Sequence, residues 1–175
     1  MTDIASLKHT AKKYLQARKE FLDIADKSDI LSGNDNLVGR IGEFIAYQYL
    51  LETNRKPIRP TKIGSNGIHK TNKGFDFLCD NRKTMVSVKC ITSENKAGTT
   101  TVIEEPWDEL ILILINQQIK VECFGVLLKD QFNQALKDGH IKSKRPYTRR
   151  TMLGKGGLIS IYGNVIDNII TKKYL

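Results

Sequence analysis

The sequence predicts an α/β fold in which a mixed β-sheet is flanked by helices. Residues 4–27 and 37–53 carry apolar side chains at spacings of three and four, which is typical of amphipathic helices. Residues 75–91 alternate apolar and polar positions on either side of a polar turn, as a β-hairpin does. Residues 110–115 are a continuous apolar run, which indicates a strand buried on both faces.

The remaining elements follow from turn residues and periodicity. Residues 1–30 are predicted to be an N-terminal helical extension, and residues 31–175 to be the main domain. The predicted order is a helix over 4–27, a turn-rich break over 28–36, a helix over 37–53, a strand within 57–63, a polar loop over 63–74, strands over 75–79 and 84–91 joined by a turn at 80–83, strands over 110–115 and 119–128, a helix over 129–137, a basic loop over 140–150, a strand over 158–162 and a terminal helix capped by Asn164.

Composition narrows the class of partner. The 175 residues include 28 Lys and Arg against 19 Asp and Glu, a formal net charge of +9 that favours polyanions such as nucleic acid. The three cysteines form no CxxC pair, which fits a reducing compartment. The N-terminus lacks a signal-peptide pattern, and the longest apolar run is far shorter than the roughly 20 residues of a membrane span. We therefore expect a cytoplasmic protein that does not enter a membrane.

Two charged residues on the predicted hairpin mark a candidate site. If the two strands pair in register, Asp76 and Lys89 project from the same face of the sheet. Such a pair is a simple salt bridge in most proteins. Two neighbours add to it: Gly74 allows close approach of backbone just before the strand, and Glu43 places an acid on the otherwise apolar face of the preceding helix.

Three short motifs occur together, in the order Gly39-Arg40-Ile41-Gly42-Glu43, Gly74-Phe75-Asp76 and Val86-Ser87-Val88-Lys89. Their order resembles that of the PD-(D/E)xK nuclease superfamily over about residues 37–128. The resemblance implies a restriction-endonuclease-like fold and hydrolysis of DNA phosphodiester bonds. It also implies Mg²⁺ or Mn²⁺ as cofactor and a role in restriction-modification or defence, with DNA repair as another possibility. Similar enzymes often act as homodimers, for which the helix of residues 4–27 is a candidate contact.

The resemblance also implies roles for individual residues. Asp76 and Glu43 would bind the metal, with a further metal contact at Val88, and Lys89 would activate the attacking water and stabilise the developing negative charge. Ser87 stands where the superfamily usually has Glu or Asp. Serine is a poorer Mg²⁺ ligand but could hold a metal-bound water, and Glu43 would supply the second carboxylate.

A basic segment is the candidate DNA-contacting surface. It combines cations with hydroxyl groups and a proline that interrupts helix formation, and we expect phosphate contacts from it and from one lysine of the 63–74 loop. These candidates are Lys142, Lys144, Arg145, Arg149, Arg150 and Lys73. The glycine-rich residues 154–157 lack the spacing of a P-loop, so no nucleotide cofactor is expected.

Two alternatives to an active nuclease remain open. One is a catalytically inactive DNA-binding or interaction subunit, which Ser87 favours. The other is a structural or regulatory α/β domain in which Asp76 and Lys89 form only a salt bridge.

Overall fold

The computed structural model describes residues 37–60, 62–63, 69–70, 74–92, 99–100, 102–116, 120–142 and 146–166, with isolated positions between 13 and 24. Those isolated positions are helical, as predicted for residues 4–27. The rest of that helix lies outside the described residues. The division into an extension over residues 1–30 and a domain over residues 31–175 stays a prediction.

A mixed β-sheet forms the centre of the described part. The elements in chain order are α1 (Leu37–Glu52), β1 (Lys62–Ile63), β2 (His69–Lys70), β3 (Phe77–Cys79), β4 (Thr84–Thr92), β5 (Glu109–Ile115), β6 (Val121–Leu128), α2 (Lys129–Lys137), α3 (Arg149–Leu153), α4 (Leu158–Tyr162) and β7 (Asn164–Ile166). The sheet has five strands in the order β3-β4-β5-β6-β7, and β1 pairs with β2 separately. Strands β4 and β5 are parallel, whereas the other neighbours in the sheet are antiparallel.

The β3–β4 hairpin has the register that the sequence predicts. Phe77 pairs with Val86, and Cys79 pairs with Thr84. The connecting residues 80–82 have φ angles between 53° and 67°, in the left-handed region. Asp and Asn tolerate this region better than most residues, so Asp80 and Asn81 are well suited to the turn.

Helices cover both faces of the sheet. Helix α1 packs on one face, and α2, α3 and α4 pack on the other. Strand β5 is buried along its whole length because its alternating side chains enter the two cores in turn. The predicted α/β architecture of a mixed sheet flanked by helices is therefore confirmed.

The C-terminal elements differ from the prediction. Residues 158–162 form helix α4 rather than a strand, and Asn164 begins strand β7 rather than a helix. Leu158 and Ile159 are consecutive and both buried, which a helix allows and a half-exposed strand does not. The absence of a side chain at Gly125 in β6 makes room for Ile159, since a Cβ there would lie 2.4 Å from its Cγ2.

Two predicted loops also contain regular structure. The 63–74 loop includes strand β2, which pairs with β1. The basic segment is helical at its end, where Arg149 begins α3. The Thr148 hydroxyl oxygen accepts a hydrogen bond from the Thr151 amide at 3.2 Å, and this N-cap stabilises the start of the helix.

Candidate active site

Asp76 lies immediately before β3 and is fixed by the neighbouring strand. Its backbone amide donates to the Val86 carbonyl at 2.8 Å. Its carboxylate oxygen Oδ2 accepts a hydrogen bond from the Val88 amide at 2.7 Å. Burial raises the pKa of Asp76, while the Val88 amide and the positive charges of Lys89 and Arg59 oppose the rise. The side chain is thus held in one orientation and partly shielded from water.

Gly74 explains how the chain reaches this position. Its φ angle is +88°, a conformation that glycine adopts without strain. A Cβ at Gly74 would lie 2.5 Å from the carbonyl carbon of Glu105, so the two backbones are in direct contact. The prediction of close backbone approach at Gly74 is therefore confirmed.

Strand β4 contributes three consecutive site residues. Val88 is buried in the core beneath α1, and the alternation of the strand places Ser87 and Lys89 toward the opposite face. Ser87 is only 2% exposed and pairs with Leu110 of β5. Lys89 is partly exposed, and its charge acts on the Asp76 carboxylate. Lys89 therefore lies within electrostatic reach of Asp76, and the projection of both side chains from one face of the sheet stays a prediction.

Glu43 reaches the same site from helix α1. The preceding residue, Gly42, allows the helix to pack closely on β4, since a Cβ there would lie 2.4 Å from the Cβ of Cys90. The Glu43 side chain is 17% exposed. Its pKa is raised to about 7, mainly by burial and then by the negative charge of Asp76. The two carboxylates therefore lie within electrostatic reach of each other.

Two arginines that were not predicted from the sequence complete the site. The Arg59 guanidinium contacts the Oε2 atom of Glu43 and lies 5.9 Å from the centroid of the Phe77 ring. Arg40 precedes Glu43 by one helical turn and is buried. Both positive charges lower the pKa of Glu43 and so oppose the effect of burial. Arg40 could have been noticed as a basic residue in the largely apolar helix that carries Glu43, whereas the segment around Arg59 gave little signal.

The donor set fits a hard divalent cation held by two carboxylates. Within the described ranges, no group of three or more His, Cys, Asp or Glu side chains could hold a metal ion. Mg²⁺ needs fewer, because it commonly binds one or two carboxylates and keeps several waters. Glu43 and Asp76 supply such a pair, and their raised pKa values reflect a cost of ionisation that a cation would offset.

The predicted DNA-contacting residues are only partly described. Lys142 is exposed, and its carbonyl accepts a hydrogen bond from the Tyr147 hydroxyl at 2.7 Å. Arg149 and Arg150 belong to α3, and their side chains are outside the described set. Lys73, Lys144 and Arg145 lie outside the described residues. The DNA-contacting role of this surface stays a prediction.

Comparison with known proteins assigns no family. No protein-family model and no curated protein matches the sequence. A solved structure of a bacterial homing endonuclease is similar at 17% identity and a TM-score of 0.42, over 75% of this chain and 87% of that chain. This degree of likeness is too low to support an argument about function. In the described part of the chain, no helix has both the length and the hydrophobicity of a membrane span.

Proposed function

We propose that this protein is a metal-dependent DNA endonuclease with a restriction-endonuclease-like fold. The observation that carries the proposal is that Asp76 interacts electrostatically with Glu43 of α1 and with Lys89 of β4, while Arg59 contacts Glu43. Phosphodiester hydrolysis requires a cation held by oxygen ligands and positive charge near the transition state. These four side chains provide both.

Each residue has a distinct part in the proposed mechanism. Glu43 and Asp76 would hold Mg²⁺ or Mn²⁺, and the Val88 carbonyl would be a further contact. The Val88 amide fixes one oxygen of Asp76 and so orients the carboxylate. Bound metal would supply Lewis-acid stabilisation and a more acidic water. Lys89 would orient the attacking water and would place positive charge beside the phosphodiester, where negative charge develops in the transition state.

Charge and burial both support a phosphate-binding role. Arg59 and Arg40 act on the Glu43 carboxylate, and Lys89 and Arg59 act on the Asp76 carboxylate, so positive charge lies near both proposed metal ligands. A positive site in a shielded environment attracts a phosphodiester more strongly than the same charges in water. Ser87 carries no charge, and in this proposal Glu43 supplies the carboxylate that it lacks.

Plasmid cleavage in Mg²⁺ or Mn²⁺ tests the proposal. We expect Asp76→Asn to abolish cleavage and Lys89→Met to reduce its rate by about 100-fold or more. Asp130→Asn and Lys155→Met are matched controls, since both residues are exposed and lie outside the proposed site, and neither should change the rate. If Asp76→Asn cleaves the plasmid at the wild-type rate, the proposed site is refuted.

A second candidate is an inactive DNA-binding subunit with the same fold. Ser87 favours it, as does the contact of Arg59 with Glu43, which already neutralises one proposed ligand. DNA binding at low salt without cleavage in either metal would select this candidate. Absence of DNA affinity at low salt would leave a structural domain in which Asp76 and Lys89 are an ion pair.

The biological setting belongs to the same proposal. We place the endonuclease in restriction or defence and expect it to act as a homodimer, because cutting both strands of a duplex needs two sites. Sedimentation of the protein with a short duplex measures this directly. A monomer that makes only single-strand nicks would contradict the homodimer.

A further inference from the structure

Arg59 occupies a rigid position at the edge of the sheet. It lies between Ile58 and Pro60, and the Ile58 backbone exchanges two hydrogen bonds with Leu78 of β3, each 2.8 Å long. The prolines at positions 57 and 60 further restrict the backbone. The Arg59 side chain is only 3% exposed. The guanidinium therefore has little freedom to move independently of β3.

The contact between Arg59 and Glu43 connects two separately positioned elements. Glu43 lies on α1, whereas Arg59 is attached through Ile58 to Leu78, two residues beyond Asp76. Glu43 is thus linked to the strand that follows Asp76 through the Arg59 side chain and the hydrogen bonds between Ile58 and Leu78. Without this contact, Glu43 would be a glutamate with three rotatable side-chain bonds, and ordering it would cost conformational entropy.

We infer that Arg59 is a positioning residue, which binds Oε2 of Glu43 and thereby orients the carboxylate to bind a divalent cation together with Asp76. The inference rests on the proposed function, because it assumes that this pair holds the metal. Groups that hydrogen-bond metal-binding side chains commonly raise metal affinity by fixing their orientation. The planar guanidinium suits this role because its donors are rigidly placed.

The positive charge of Arg59 could also lower the affinity of the site for a divalent cation, because it would compete with the cation for Glu43. In that case, removal of Arg59 would free Glu43 and tighten metal binding. The two effects have opposite signs, so one measurement separates them. Orientation should dominate because the guanidinium is anchored from β3 and lies over the Phe77 ring.

Calorimetric titration with Mn²⁺ tests the inference independently of DNA cleavage. We expect Arg59→Met to weaken Mn²⁺ binding by about tenfold or more, and Arg59→Lys to weaken it less. In a Glu43→Gln background, Arg59→Met should change the affinity by less than about twofold, because there is no carboxylate to orient. Arg82→Met, on the exposed hairpin turn, is the matched control and should bind as the wild type does.

Each alternative result has a defined meaning. Unchanged or tighter binding by Arg59→Met overturns the inference, and so does an equal loss in both Glu43 backgrounds, which would indicate a general structural role. If Arg59→Met does not fold, the same comparison with Arg59→Lys decides, because a loss that persists in Glu43→Gln also overturns it. Wild-type protein that binds no Mn²⁺ overturns both the inference and the proposed metal site. The expected Mn²⁺ affinities without any DNA cleavage would leave the inference standing and refute the nuclease.

Discussion

Replacing Glu43 by glutamine should change how the stability of the protein depends on pH. The pKa of Glu43 is raised from 4.5 to about 7 by burial and by the charge of Asp76. Glutamine has nearly the shape of the protonated side chain but does not ionise. The difference between variant and wild type therefore isolates the energetic effect of the Glu43 charge.

The direction follows from proton binding. Between pH 4.5 and about 7 the folded protein keeps the Glu43 proton while the unfolded chain has lost it, so the free energy of unfolding falls as the pH rises. Below that window the side chain is protonated in both states and has no effect. Above it the full penalty applies, and a shift of this size corresponds to about 3 kcal/mol.

Urea unfolding of both proteins at pH 4.5 and pH 8, in the absence of divalent metal, measures this quantity. The stability of Glu43→Gln relative to wild type should increase by about 3 kcal/mol over that range. Glu122→Gln, a change at an exposed acid on β6, is the control and should show no comparable trend. If the relative stability of Glu43→Gln stays constant with pH, Glu43 is not a buried carboxyl beside another acid, and the proposed pair does not exist.

Three packing and ion-pair predictions can be checked by the same unfolding measurements. Gly42→Ala adds a methyl group 2.4 Å from the Cβ of Cys90 and should destabilise the protein by about 1–3 kcal/mol, although alanine favours helices. Gly74→Ala meets backbone at 2.5 Å with a φ angle of +88° and should destabilise it by about 2 kcal/mol or more, so a neutral result would contradict the described backbone. Arg55→Met removes a guanidinium that contacts the buried Glu109 carboxylate at 2.7 and 2.8 Å, and should cost about 3–5 kcal/mol. Adding Glu109→Met should restore most of that loss, because no unpaired buried charge remains.

The hairpin that carries Asp76 and Lys89 could be located from the sequence because its contacts are largely local. The hairpin register follows from alternation and from a four-residue turn, so the position of Asp76 relative to β4 was predictable. Gly74 was equally informative, since a glycine before a strand indicates a special conformation or close packing. The apolar run in β5 predicted a doubly buried strand without knowledge of its neighbours.

Other features depended on contacts between distant residues. Residues 158–162 have the composition of a strand, but a helix lets Leu158 and Ile159 bury together against the space at Gly125. Arg59 gave little local signal, because its role arises only when its segment pairs with β3 and α1 packs across the sheet.

The sequence by itself determined the α/β class, the hairpin that carries Asp76 and Lys89, and the helix that carries Glu43. These features arise from periodicity and turn chemistry, which act over a few residues. Only the tertiary structure decided that Glu43 approaches Asp76 and that Arg59 contacts Glu43. Both depend on the close packing of α1 on β4 at Gly42 and on the pairing of Ile58 with Leu78, which join segments far apart in the chain.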